Sequence, residues 1–217
     1  GEIVTIFGLD FGPAALTTLA INPVTRTAAT TLSDTRVLFD GVAAPLIYVS
    51  PNQISAAVPY GVASKPSTRI SIEYKGQLTN SIPVPVSLAE PALFTFDSSG
   101  RGPGALLNEN GSVNTRDNPA TKGSVVVLYG TGEGLTNPVV LDGKPSAVPL
   151  AKPRLPVRVR IAGREAELLY AGAAPGLIAG VLQVNVRIPN DCPSGAVPLQ
   201  LLVGERFSPQ DVTIAVQ

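Results

Sequence analysis

GSVVVLYGTGEGL, residues 123–135, repeats GEIVTIFGLDFGP, residues 1–13. Gly123 falls on Gly1, Gly130 on Gly8 and Gly134 on Gly12 at one constant offset. The offset persists downstream, where Asp40-Gly41 meets Ala162-Gly163 and Tyr48 meets Tyr170. After the tyrosine it widens: NQISAAVP (52–59) matches LQVNVRIP (182–189), with Gln53 on Gln183. The second copy has gained most of AGAAPGLIAGVL (171–182), which faces only VSPN (49–52) in the first. Matches of this kind at a fixed spacing define an internal repeat, and a repeat decides the fold before any local reading.

The copies divide the chain into modules at 1–90 and 121–217, with 91–120 between them and without a counterpart. Each module reads as strands of period two separated by Gly and Pro, the pattern of a β-sandwich. In PVRVRIAGREAELLY (156–170), Val157, Val159 and Ile161 take one face and Arg158 and Arg160 the other. Pairing outward from Ala162-Gly163 sets Arg160 opposite Glu165 and Arg158 opposite Glu167, a solvated charge ladder. The first copy has Leu38, Ala43 and Pro45 at three of these positions, so its equivalent face is expected to be covered. Between the modules, GALLNENGSVN (104–114) reads as a hairpin turning at Asn110-Gly111. Residues 91–120 are therefore expected to form a structured connector.

GTGEG (130–134) invites a phosphate-loop reading. That fingerprint needs a helix after the glycines, and TNPVVLDGKPSAVP follows instead. Gly8, Gly12, Gly130 and Gly134 are expected to shape a sharp turn after the first strand of each copy. Gly41, Gly163, Tyr48, Tyr170, Gln53 and Gln183 are expected to be structural, the glutamines by satisfying loop backbone groups.

Composition narrows the function. The 217 residues contain no His, one Cys and balanced charge, 16 basic against 16 acidic. Without His, the usual general base and commonest metal ligand are missing, and no catalytic residue or cofactor is assigned. No Lys/Arg cluster suits nucleic acid, and no apolar run reaches membrane-spanning length. Cys192 reads as a small buried hydrophobe. Candidate binding residues are few. Tyr60, Tyr74 and Phe207 are the aromatics a sugar ring could stack on. Asn108, Asn110, Asn114 and Asp117 form the densest oxygen cluster, a candidate Ca²⁺ site that departs from EF-hand spacing.

TIFGLDFG (5–12) followed by VLFDGVAAPLIYVSPNQISAAVP (37–59) resembles the IPT/TIG class of immunoglobulin-like domains. The stretches APLIYVSPNQISAAVP (44–59), GALLNENGSVNTRDNPATKGSVVVLYGTGEG (104–134) and YAGAAPGLIAGVLQVNVRIP (170–189) resemble a C-terminal domain family of large secreted acidobacterial (Solibacter-type) proteins. The resemblance implies tandem Ig-like sandwiches, secretion, and attachment behind other extracellular domains. It implies no activity. The expectation is a non-catalytic extracellular spacer or interaction module whose partners are other domains of a parent protein. A carbohydrate- or cell-surface-binding accessory module is the alternative, and a carboxylate-based hydrolase a second one.

Overall fold

The β-branched runs of both copies form strands, and the two copies fold to matching sandwiches. The structure is a computed structural model that describes residues 1–217. In the first sandwich one sheet runs Ile3–Phe7, Gln53–Ala57, Leu46–Val49, Thr17–Thr18 in spatial order. The facing sheet runs Val42–Ala43, Thr35–Phe39, Ser67–Tyr74, Gln77–Leu78, with Ile82–Pro85 also against Ser67–Tyr74. In the second, Val125–Thr131, Leu182–Arg187 and Glu167–Ala173 form one sheet. Val157–Ile161, Gly195–Val203 and Val212–Val216 form the backbone of the other. The only helical turn is a short 3-10 segment at Tyr60–Val62, so no helix is long and apolar enough to cross a membrane.

The repeat survives in fine detail. Both copies turn a hairpin with two successive positive φ angles, 50° and 82° at Asp40-Gly41, 51° and 77° at Ala162-Gly163. That is the turn whose twist matches paired strands. Both copies shift register at one place, between Leu46 and Tyr48 and between Leu168 and Tyr170. The bulge directs each tyrosine toward a local partner. Gln53 Nε2 donates to the Tyr48 hydroxyl, and the Tyr170 hydroxyl donates to the Ala173 carbonyl at 2.8 Å. Gln183 Nε2 donates to Asn185 Oδ1. The glutamines thus bond side chains rather than loop backbone: Gln53 reaches Tyr48 on the neighbouring strand, and Gln183 reaches Asn185 two residues along its own.

Two local expectations change. Arg160 pairs with Glu165 as the turn dictates, but Arg158 does not face Glu167. The chain crosses to the other sheet at Ala166, which is buried, and Glu167 pairs with Arg187 at 2.9 Å. Gly130 is also no turn residue. It lies inside Val125–Thr131, where a Cβ would stand 2.6 Å from the Ala92 carbonyl. Gly8 packs beneath the Phe11 ring and Gly12 beneath the Ser50 carbonyl. Of the four, only Gly134 adopts a positive φ, 73°.

Residues 91–120 are built into the second sandwich. Ala92–Leu93 and Leu106–Leu107 pair antiparallel with one edge of Val125–Thr131. Gly102–Pro103 runs parallel to Val212–Val216 in the facing sheet. The hairpin at 106–114 forms, closed by the Asn108 N–H to the Ser112 carbonyl and by a Leu107–Val113 bridge. From the segment 91–120, Leu93, Leu106 and Ala120 enter the second core, which holds 22 buried apolar residues against 11 in the first. Apolar content too high for a linker thus becomes a wall of the sandwich.

The turn glycines allow a clean test. A Cβ on Gly163 meets nothing within 4 Å, so only its φ of 77° opposes a side chain. Gly163→Ala is expected to lower stability by about 1 kcal/mol, read as a drop in denaturant midpoint with unchanged slope.

Candidate functional site

The insertion that distinguishes the copies, residues 171–182, packs against the first module. Ala174, Ile178 and Val181 form an apolar cluster with Ala28, joined by the partly buried Ile3 and Ile47. The Ala28 N–H donates to the Gly143 carbonyl, and the Tyr60 N–H to Asp142 Oδ1 at 2.8 Å. Thr131 Oγ1 accepts from the Ile3 N–H at 2.7 Å and donates to the Gly180 carbonyl at 2.8 Å. The covered face expected around Leu38, Ala43 and Pro45 is present: Leu38 and Pro45 are buried, Ala43 is half-buried, and Pro45 lies against Gly143.

GTGEG takes its role here. The linker leaving the first module, residues 88–92, crosses directly over it. A Cβ on Gly132 would stand 1.8 Å from the Glu90 carbonyl, and one on Gly134 2.1 Å from the Leu88 carbonyl. The glycines admit a polypeptide backbone where a nucleotide loop would admit a phosphate. Between them Glu133 is 5% exposed. The Tyr60 hydroxyl donates to its Oε1 at 3.3 Å, while Oε2 is buried with no protein partner.

Beside this junction a cleft of about 520 Å³ opens between the sheets of the first sandwich. Val4, Val58, Ile70, Val84 and Val86 line it, with Glu2, Glu90 and Arg206 at its polar end. Burial, reinforced by the Glu90 and Glu133 charges, pushes the Glu2 carboxyl up to about 7. Burial likewise raises Glu133 above the usual carboxylate range, and raises the Tyr60 hydroxyl. A cleft carboxyl with its pKa pushed up to about 7, as at Glu2, is the chemistry a hydrolase would use. Glu133, however, is sealed beneath Tyr60 and does not line the cleft, and the Arg206 guanidinium lies 3.9 Å from Glu90. Sequence reasoning had not singled out Glu2, Glu90 or Glu133. Glu133 was visible as the one charge within a glycine turn that only one copy elaborates.

The aromatic candidates do not converge. Tyr60 lies at the junction. Tyr74 ends the strand Ser67–Tyr74, away from the cleft-lining Ile70, with Lys75 Nζ 5.1 Å from its ring centre. Phe207, 47% exposed, sits on the short edge strand Arg206–Phe207 with the Arg160 guanidinium 5.5 Å from its ring centre. The asparagine cluster is engaged internally. Asn114 Nδ2 donates to Asn108 Oδ1, Asn114 Oδ1 accepts from the Ala215 N–H, and Asn110 Oδ1 accepts from the Ser112 N–H. Asp117 lies exposed in the following turn. Asn114 thus ties the hairpin to the last strand, while the Asn108 and Asn110 side-chain oxygens accept bonds within the hairpin. Cys192 is buried, as its hydrophobic reading requires.

A family model described as the IPT/TIG domain matches residues 1–87. No curated protein matches the chain. Among solved structures, the chain is similar to SGBP-B of a Bacteroides ovatus mixed-linkage glucan utilization locus, in complex with a mixed-linkage heptasaccharide, at 13% identity and TM-score 0.30. That match covers 94% of this chain and 40% of the other. It is also similar to SGBP-B from a Bacteroides uniformis complex xyloglucan utilization locus, at 11% identity and TM-score 0.32, covering 96% and 46%. The chain thus spans less than half of either protein.

The raised carboxylates carry a signed prediction. A carboxyl with a higher pKa folded than unfolded stabilises the fold below its unfolded value and loses that contribution as pH rises through the folded one. For Glu2 the window runs from about 4.5 to about 7. Asp40, held down at about 2 chiefly by its hydrogen bond with Lys65, is fully ionised before that window. Melting temperature is therefore expected to fall between pH 4.5 and 7. Glu2→Gln is expected to flatten that slope, a difference of about 1–2 kcal/mol after screening.

Proposed function

We propose that this chain is a non-catalytic tandem Ig-like unit of a larger extracellular protein, with its modules held at a fixed angle. The observation that supports it is the junction. Apolar packing through Ile178 and Val181, glycine-permitted backbone contact and the Thr131 hydrogen bonds all join the modules. A flexible tether between separate beads would need none of these. Attachment behind other secreted domains accords with the resemblance to acidobacterial C-terminal domains. The absence of His and the sealing of Glu133 both favour a holding role over hydrolysis.

The test is geometric. Ile178→Asp places a charge in the junction cluster while leaving both sandwich cores intact. Small-angle scattering is expected to show a rigid shape for the native chain and a broader distance distribution for the variant, with a loss of about 3–5 kcal/mol at the junction. An unchanged scattering profile would refute the rigid-unit reading.

A second reading, a carbohydrate-binding accessory module, has one observation in its favour: Phe207 offers a half-exposed ring on an edge strand, with the Arg160 guanidinium beside it. Pull-down with insoluble polysaccharides and bacterial cell walls, with and without Ca²⁺, tests it. Saturable binding that Phe207→Ala weakens about tenfold would establish it. Retention unaffected by that substitution would remove the ring from consideration.

A further inference from the structure

The two sandwiches are closed unequally. In the second, the outer edge of Val125–Thr131 is covered: the Phe94 N–H donates to the Tyr129 carbonyl, and Leu106–Leu107 pairs with Leu128 and Val127. Across the gap, Asn114 and Ala120 bond the Ala215 backbone of the facing sheet. One segment thus joins both sheet edges and shuts that side. Val126 and Leu128 beneath it are fully buried.

The first sandwich has no such segment. Its equivalent strand, Ile3–Phe7, pairs on one side only, with Gln53–Ala57. The Val58 N–H donates to the Glu2 carbonyl and the Gly8 N–H to the Asn52 carbonyl. By antiparallel alternation, Val4 and Ile6 face that partner, and Thr5 and Phe7 turn their N–H and C=O groups outward. Val4 and Ile6, counterparts of Val126 and Leu128, are only half-buried, and Phe7 is 74% exposed. The cleft of about 520 Å³ opens beneath Val4, between the two sheets. The facing edge strand, Ile82–Pro85, is closed to pairing. The Val86 N–H donates to the Pro66 carbonyl, so the outward positions are Pro83 and Pro85, which have no N–H to offer.

We propose that Ile3–Phe7 is an acceptor edge for an extended polypeptide strand from outside these residues, which lies antiparallel along Thr5 and Phe7 and seats an apolar side chain in the cleft. The required chemistry is written in the second module. There the covering stretches, Ala92–Phe94 and Ala105–Leu107, are apolar, uncharged and extended. Main-chain bonds supply affinity in this mode and side-chain pockets supply selectivity. The opposite edge is barred by proline, so a donor has one strand to choose.

The probe is a synthetic peptide of residues 91–108, added to the intact 217-residue chain. Saturable binding is expected, with hydrogen exchange of the Thr5 and Phe7 amides slowed at least about tenfold. Thr5→Pro removes an outward N–H without touching the ladder to Gln53–Ala57, and is expected to weaken binding about tenfold or more. As a measure independent of that variant, the peptide joined ahead of Gly1 by a flexible linker is expected to raise the melting temperature by several degrees. Absence of both binding and thermal gain would overturn the proposal, as would binding indifferent to Thr5→Pro. Protection of Thr5 and Phe7 by concentration-dependent dimerisation would assign the edge to a second copy and overturn the donor assignment. None of these readouts depends on the angle between the modules.

Discussion

A single hydroxyl ties the molecule together. Thr131 Oγ1 is buried where the first strand of module one, the first strand of module two and the inserted loop all meet. It accepts from Ile3 and donates to Gly180, satisfying two backbone groups that the junction removes from water. An unpaired buried amide costs more than the bond itself yields. The junction is therefore tolerable only with a hydroxyl there, and the insertion, linker crossing and apolar cluster are arranged around it.

The asymmetry between the copies follows from what each has to cover. The second module carries its own wall in residues 91–120 and reaches a fully enclosed core. The first lends part of its surface to the junction, through Ile3, Ala28 and Ile47, and leaves another part open above the cleft. The Arg160–Glu165 pairing of module two and its apolar counterpart, Leu38 and Ala43 in module one, express the same division between wet and covered faces.

The sandwich repeat was legible because turn chemistry and period two are local. Asp40-Gly41 and Ala162-Gly163 announce their hairpins to any reader of short-range geometry. The packing of the insertion and the covering of Pro45 could also be inferred, since an apolar stretch without periodicity must bury itself somewhere. What escaped was long-range. Glu167 changes sheets within one residue of its hairpin, a choice made by the buried Ala166 and not by the turn. Gly130 and Gly132 are glycine because a distant backbone passes over them, and nothing beside them in sequence says so. Glu2, Glu90 and Glu133 come from three separate segments, so their mutual influence exists only after folding.

Pro83 and Pro85 have a bearing on crowding. A β-sandwich fixed at high local density meets its neighbours edge to edge, and each open edge is an invitation to polymerise. Along Ile82–Pro85 such an encounter brings carbonyl against carbonyl with no donor between them. Many copies of this chain could stand side by side on one surface without that edge seeding a shared sheet.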